Sequence, residues 1–309
     1  MATNSLGFKD AAPRPVVLKP NKHRLLFIGD SFTEGVGVPY GETFVGLIAE
    51  QLAQKDIGVL NAGVCSYSPA IYYAKTKYLL EKKGLVFNEL IVYIDLSDII
   101  NEAAIYDIDQ GGWVQATPQR EKEIEQLAEL FYESKKAERS LYQRLEKALE
   151  RDTVITYLLV KECHDAFFPR EIRWDYDSLH LYGPRWTIDK DLEDEFAAAG
   201  LQECAHNMDK LYALCKAHGI RLTVAVYPWP DQILHNDLNS RQVAFWRRWA
   251  EAHDVQLINH FPQFVSKNST TAEVRRILDA YFIPGDLHWN AAGHRLIAAH
   301  FLDVFQPFN

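Results

Sequence analysis

Cysteine is scarce in this chain. The four among 309 residues, Cys65, Cys163, Cys204 and Cys215, show no C-x-x-C spacing and no partnered His cluster. A zinc site or a disulfide framework is therefore not expected, and no metal is called for. Cys204 and Cys215 fall on one expected helix, roughly 16 Å apart along its axis, too far to bridge each other. All four read as ordinary buried thiols. Basic charge is also in deficit: 33 Lys and Arg stand against 42 Asp and Glu, a net charge of −9. That argues against a nucleic-acid groove or an anionic membrane patch. Uninterrupted apolar runs of the ~18 residues a membrane span requires are missing, and no signal-peptide pattern opens the chain. Residues 1–23, "MATNSLGFKDAAPRPVVLKPNKH", are polar and proline-bearing, and are expected to form a tether leading into a domain over 24–309. As the chain stands this points to the cytoplasm; removal of an upstream anchor would place it outside.

What is present is core material, with 48% apolar and 24% charged residues. Short apolar runs recur between helical patterns: Arg24–Ile28, Gly58–Leu60, Leu90–Leu96, Leu222–Tyr227 and Val255–Ile258. They are continuously apolar rather than alternating, as in parallel strands buried on both faces. Phe44, Leu47, Ile48 and Leu52 mark one intervening helix; Ile71, Tyr78 and Leu79 mark another, stopped by Gly84. Val243, Trp246, Trp249 and Ala250 mark a third, and Leu296, Ile297, Phe301 and Val304 a final one capped by Asn290. The expectation is a three-layer α/β/α sandwich around a parallel sheet of about five strands. Ligands of such sheets bind beyond the carboxyl ends of the strands. Residues 103–220 are too long for one crossover, so a helical insertion is expected at about 103–200. Its loop "RWDYDSLHLYGPRW" holds Trp174 and Tyr176, and it serves either as a substrate wall or as added packing.

Three stretches carry chemistry. "FIGDSFTEG" breaks strand one on Gly29-Asp30-Ser31, which suits either an ordinary strand-to-helix turn or a nucleophile held at a strand end. "GDLHWNAAGH" supplies Asp286 and His288, whose side chains point the same way if the loop is extended. A serine hydroxyl needs such a base, and the base needs an orienting acid. "NAGVCSYSP" follows strand two, and Gly63 there permits close backbone approach to a ligand. The first loop lacks the Lys of a P-loop and is not G-x-G-x-x-G, which disfavours phosphate binding. His294 and His300 lie inside the last helix, away from a catalytic role.

In their order and spacing these blocks resemble the GDSL-type, or SGNH, hydrolase superfamily. The resemblance runs from about residue 24 to 304 and implies a flavodoxin-like fold and a serine esterase needing no cofactor. It implies Ser31 as nucleophile and oxyanion amide, Gly63 as a second amide donor, His288 as base and Asp286 as its partner. The third block is usually G-x-N-D; here it is Asp95-Leu96-Ser97-Asp98, so Ser97 stands where the oxyanion Asn is expected, with Asn101 as a substitute. The D-x-H spacing, in place of D-x-x-H, resembles polysaccharide acetylation and deacetylation proteins. The substrate implied is a short acyl or acetyl ester, on a small molecule or a carbohydrate, with Tyr67, Trp229 and Trp289 either stacking on sugar rings or filling the core. The alternatives are an O-acyltransferase with the same triad and a catalytically silent carbohydrate-binding relative.

Overall fold

Five of the apolar runs become strands of one sheet in the computed structural model, which describes residues 2–104, 106–108, 114–116, 183–190, 197–265 and 270–305. In chain order the strands are β1 (Arg24–Ile28), β2 (Gly58–Asn61), β3 (Glu89–Ile94), a small antiparallel pair β4 (Tyr106–Ile108) and β5 (Val114–Ala116), then β6 (Arg221–Val226) and β7 (Gln256–Asn259). The main sheet has the order β2-β1-β3-β6-β7 and every pairing in it is parallel. All residues of β1 and β3 are buried, their apolar runs together with the charged first residues Arg24 and Glu89. The third and fourth strands stop sooner than their hydrophobicity suggests. Leu96 and Tyr227 lie past the strand ends, because Asp95 and Tyr227 turn away into polar contacts described below.

The chain leaves β1 first for β2 on one side and then crosses to β3 on the other. That reversal puts a crevice at the carboxyl ends of β1 and β3, the ligand position of doubly wound sheets. Right-handed crossovers then send helices to both faces. Phe44–Ala53 packs against the last helix, Ala291–Val304, on one face. Pro69–Glu81 and Asp98–Ala104 pack against the long crossover helix Ala198–Ala217 on the other. Gly84 and Gly219 take up φ +64° and +65° just beyond two of these helices, the left-handed turn that glycine makes cheaply. The short helices Pro230–Leu234 and Phe261–Phe264, the helix Thr271–Tyr281 and the β4–β5 pair are additions that periodicity did not reveal.

The first 23 residues are not a free tether. Phe8 is buried in the main core, and the Lys9 ammonium donates to Gly35 O at 2.6 Å and Val38 O at 2.9 Å. The amino-terminal segment is thus bolted to the loop that follows Ser31. Much of the expected insertion, including Cys163, Trp174 and Tyr176, lies outside the described residues. Its described parts border the carboxyl edge of the sheet. Tyr106 Oη donates to Ser66 O at 3.1 Å, and buried Trp186 donates from Nε1 to Leu96 O at 3.1 Å.

Candidate active site

Ser31 opens a helix of four residues, Ser31–Glu34, directly beyond β1. The turn is tight: a Cβ on Gly29 would come 2.9 Å from both Thr33 Cβ and Tyr93 O, so only glycine fits. Asp30 caps the helix by accepting from Phe32 N at 3.0 Å, and Gly35 closes it at φ +78°. One short turn, capped at both ends, fixes where the hydroxyl points.

The opposite wall is built from the other end of the chain. Ile283 N donates to His288 O and Asp286 N to Ile283 O, both at 2.9 Å, closing a compact loop around Gly285 at φ +76°. Trp289, fully buried, anchors that loop edge-on to Phe32 at 4.8 Å and Tyr227 at 4.9 Å. Asn290 caps the following helix by accepting from Ala292 N at 2.8 Å and Gly293 N at 3.0 Å. The loop sets His288 Nε2 at 2.9 Å from Ser31 Oγ and His288 Nδ1 at 2.6 Å from Asp286 Oδ1. The His288 amide also donates to that carboxylate at 3.0 Å. Partial burial raises the Asp286 carboxyl, but the bonds and charge of His288 outweigh it and hold it below the usual carboxylate range. An ionised Asp286 fixes the Nδ1–H tautomer and leaves the Nε2 lone pair facing the serine. Ser31, His288 and Asp286 therefore come together as a hydrogen-bonded relay. His294 does not join it. Its Nδ1 accepts from Phe44 N at 3.2 Å, and burial lowers it to about 3, so it stays neutral and closes a helix end.

The expected oxyanion donors divide. The Ser31 amide is the first of its helix and has no intrahelical acceptor. Gly63 lies against the Ser31 turn, where a Cβ would meet Glu34 N at 2.7 Å, yet its amide donates to Asn61 Oδ1 at 3.0 Å. Ser97 departs from expectation too. Its amide and its hydroxyl both donate to Asp95 Oδ1, at 2.7 and 2.6 Å, so the hydroxyl proton is committed to its own turn. Ser97→Ala is accordingly expected to cost stability, about 1.5–3 kcal/mol for a bond to a charged group. Its kcat should stay within about twofold, or ~0.4 kcal/mol. Denaturant melts beside steady-state kinetics check this, and a hundredfold fall in kcat at unchanged stability would return the donor role to Ser97.

A group absent from the sequence reading lies behind the serine. Asp30, Asp95 and Asp98 are all buried at the carboxyl ends of β1 and β3. Tyr227 Oη lies 2.7 Å from Asp95 Oδ2 and 3.1 Å from Asp30 Oδ1, and Trp229 Nε1 donates to Asp95 Oδ2 at 2.7 Å. Tyr72 Oη lies 3.0 Å from Asp98 Oδ2. Burial pushes Asp98 well above the usual carboxylate range, helped by the charge of Asp95. Trp229 and Trp289 are thus committed to this interior and present no face to a sugar, whereas Tyr67 is half-buried, under Lys75 at 4.6 Å. Lys75 donates to Ala62 O at 3.0 Å, and burial lowers it to about 8. The G-D-S turn was a visible signal for Asp30; nothing in the linear sequence tied it to Tyr227.

No family model matches the chain, and no curated protein is similar to it. Solved structures are. Axe2, an acetylxylan esterase from Geobacillus stearothermophilus, is 14% identical over 94% of this chain and 98% of its own, with a TM-score of 0.46. A putative lipolytic protein of the G-D-S-L family from Desulfitobacterium hafniense DCB-2 is 9% identical over 92% and 100%, with a TM-score of 0.44. LAE5, an alpha/beta hydrolase enzyme from the metagenome of Lake Arreo, is 14% identical over 91% and 94%, with a TM-score of 0.45.

Proposed function

We propose that the protein is a serine hydrolase of the GDSL, or SGNH, type, acting on carboxylic esters. The observation that carries this reading is the relay from Ser31 Oγ to His288 Nε2 at 2.9 Å and from His288 Nδ1 to Asp286 at 2.6 Å. In the proposed cycle Ser31 Oγ attacks the ester carbonyl carbon as its proton passes to His288 Nε2. The imidazolium is stabilised by Asp286, and the Ser31 amide faces the developing oxyanion. Collapse of the tetrahedral adduct breaks the carbon–oxygen bond to the alcohol, which takes the proton from Nε2. Water then attacks the acyl-serine by the same route and releases the acid.

The substrate we favour is a short acyl ester, acetyl above all, on a small molecule or a carbohydrate. Support comes from the D-x-H spacing of Asp286 and His288. A panel of p-nitrophenyl esters from acetate to palmitate, run beside acetylated polysaccharides, tests it. Acetate is expected to be turned over fastest and palmitate least. Faster turnover of palmitate would overturn the acyl preference. Failure to hydrolyse any ester, together with no fluorophosphonate labelling of Ser31, would overturn the hydrolase. Adding an alcohol acceptor to the same assay separates hydrolysis from acyl transfer.

A further inference from the structure

The protons around Tyr227 do not suffice for the contacts it makes. Tyr227 is pushed far above the usual phenol range by burial first, and by the charge of Asp95, so it keeps its single hydroxyl proton. That one proton faces two carboxyls, Asp95 Oδ2 at 2.7 Å and Asp30 Oδ1 at 3.1 Å. Asp95 has the stronger claim. Its two oxygens already face the Ser97 amide, the Ser97 hydroxyl and the Trp229 indole N–H, so with Tyr227 it has four donors and is built as a carboxylate. The contact from Tyr227 to Asp30 then needs a proton of its own, and only Asp30 can carry it.

We propose that Asp30 is a positioning residue held as a neutral carboxylic acid, whose Oδ1–H donates to Tyr227 Oη and whose uncharged Oδ2 leaves the Ser31 proton to His288. The role rests on Ser31 being the nucleophile. Ser31 Oγ lies 3.3 Å from Asp30 Oδ2 and 2.9 Å from His288 Nε2, and it has one proton to give. An ionised Asp30 would compete with the imidazole for that proton. It would also hold a negative charge beside the oxygen on which negative charge must develop. A neutral Asp30 does neither. Asp95 across Tyr227 favours this state, and among the described residues Phe32 N, donating to Oδ1 at 3.0 Å, is the one backbone amide that opposes it. Burial raises Asp30 well above the usual carboxylate range, and the charge of Asp95 raises it further.

Infrared difference spectroscopy at neutral pH reads the protonation directly, with no need for turnover. Wild type minus Asp30→Asn should show the carbonyl stretch of a protonated carboxylic acid, and its absence would overturn the proposal. Should Asp30→Asn not fold, Tyr227→Phe serves instead. Loss of the hydroxyl should shift that stretch, while an ionised Asp30 would leave the protonated-acid region unchanged. Kinetics on p-nitrophenyl acetate read the role. Asp30→Asn, a neutral isostere, should keep kcat within about tenfold of wild type. Asp30→Ala should lower kcat by ~10²-fold with KM little changed, the scale of a misplaced reacting group. An Asn variant as impaired as the Ala variant would overturn the proposal. Fluorophosphonate labelling of Ser31 in wild type keeps the two questions apart: labelling without the infrared band sinks Asp30 alone, and no labelling sinks the hydrolase.

Discussion

Ser31→Ala is expected to lower kcat by about 10⁶-fold, as removal of the nucleophile does in a serine hydrolase whose triad acts as a unit. The residual rate would come from binding and from the Ser31 amide, which the alanine retains. The fold should survive, because the Ser31 hydroxyl serves no other part of the structure. Its partners are His288 and Asp30, both at the site itself. A fluorophosphonate should label Ser31 in wild type and nothing in the variant, read by intact mass. Activity at wild-type level, or label on another residue, would remove Ser31 from the mechanism.

His288→Ala is expected to fall nearly as far, and Asp286→Asn less. The Asp286 side chain is 43% exposed while that of His288 is 15% exposed, so water can partly replace the carboxylate behind the ring. The His288 amide and Nδ1 share one oxygen of Asp286, so an asparagine there either keeps an uncharged oxygen toward both or turns its NH2 toward both, losing the amide bond and favouring the tautomer that cannot take the serine proton. In a fully buried triad that error costs ~10⁴-fold; at this exposed acid ~10²–10³ is expected. Only neutral imidazole is a base, so kcat/KM should fall on the acidic side. Removing the Asp286 charge destabilises the imidazolium, and the acidic limb should therefore move to lower pH in Asp286→Asn. A full pH–rate profile of both proteins checks the sign. A fully active Asp286→Asn with an unmoved limb would dismiss the triad.

The sheet was legible because its strands are buried on both faces, and that burial writes itself as unbroken runs such as "RLLFI". Ser31, Asp286 and His288 were singled out by the order of their blocks along the chain, and the structure brings the three side chains within hydrogen-bond distance. Their environment was not legible. Asp30 and Tyr227 are 197 residues apart, and Asp95 and Trp229 are 134 apart, so no local pattern connects them. The direction of the Gly63 amide turns on one bond to a side chain two residues back. Ser97 was readable as a departure, but whether its hydroxyl faces substrate or Asp95 depends on a rotamer. Phe8 and Lys9, single residues in a polar stretch, gave no periodicity to mark their burial.

The two halves of the site lie far apart along the chain, and that separation orders events during synthesis. Ser31 and His288 are separated by 257 residues, and Phe44 and His294, which join the first and last helices of one layer, by 250. At ~5–20 residues per second a ribosome needs roughly 13–50 s to go from the serine codon to the histidine codon. The first strands have that interval to pair while the serine still has no base. Contacts of such long range also form late in folding, after the loop they close has been paid for in entropy. On the proposed function a nascent or partly folded chain is expected to be chemically silent, and reactivity toward a serine probe would measure completed folding.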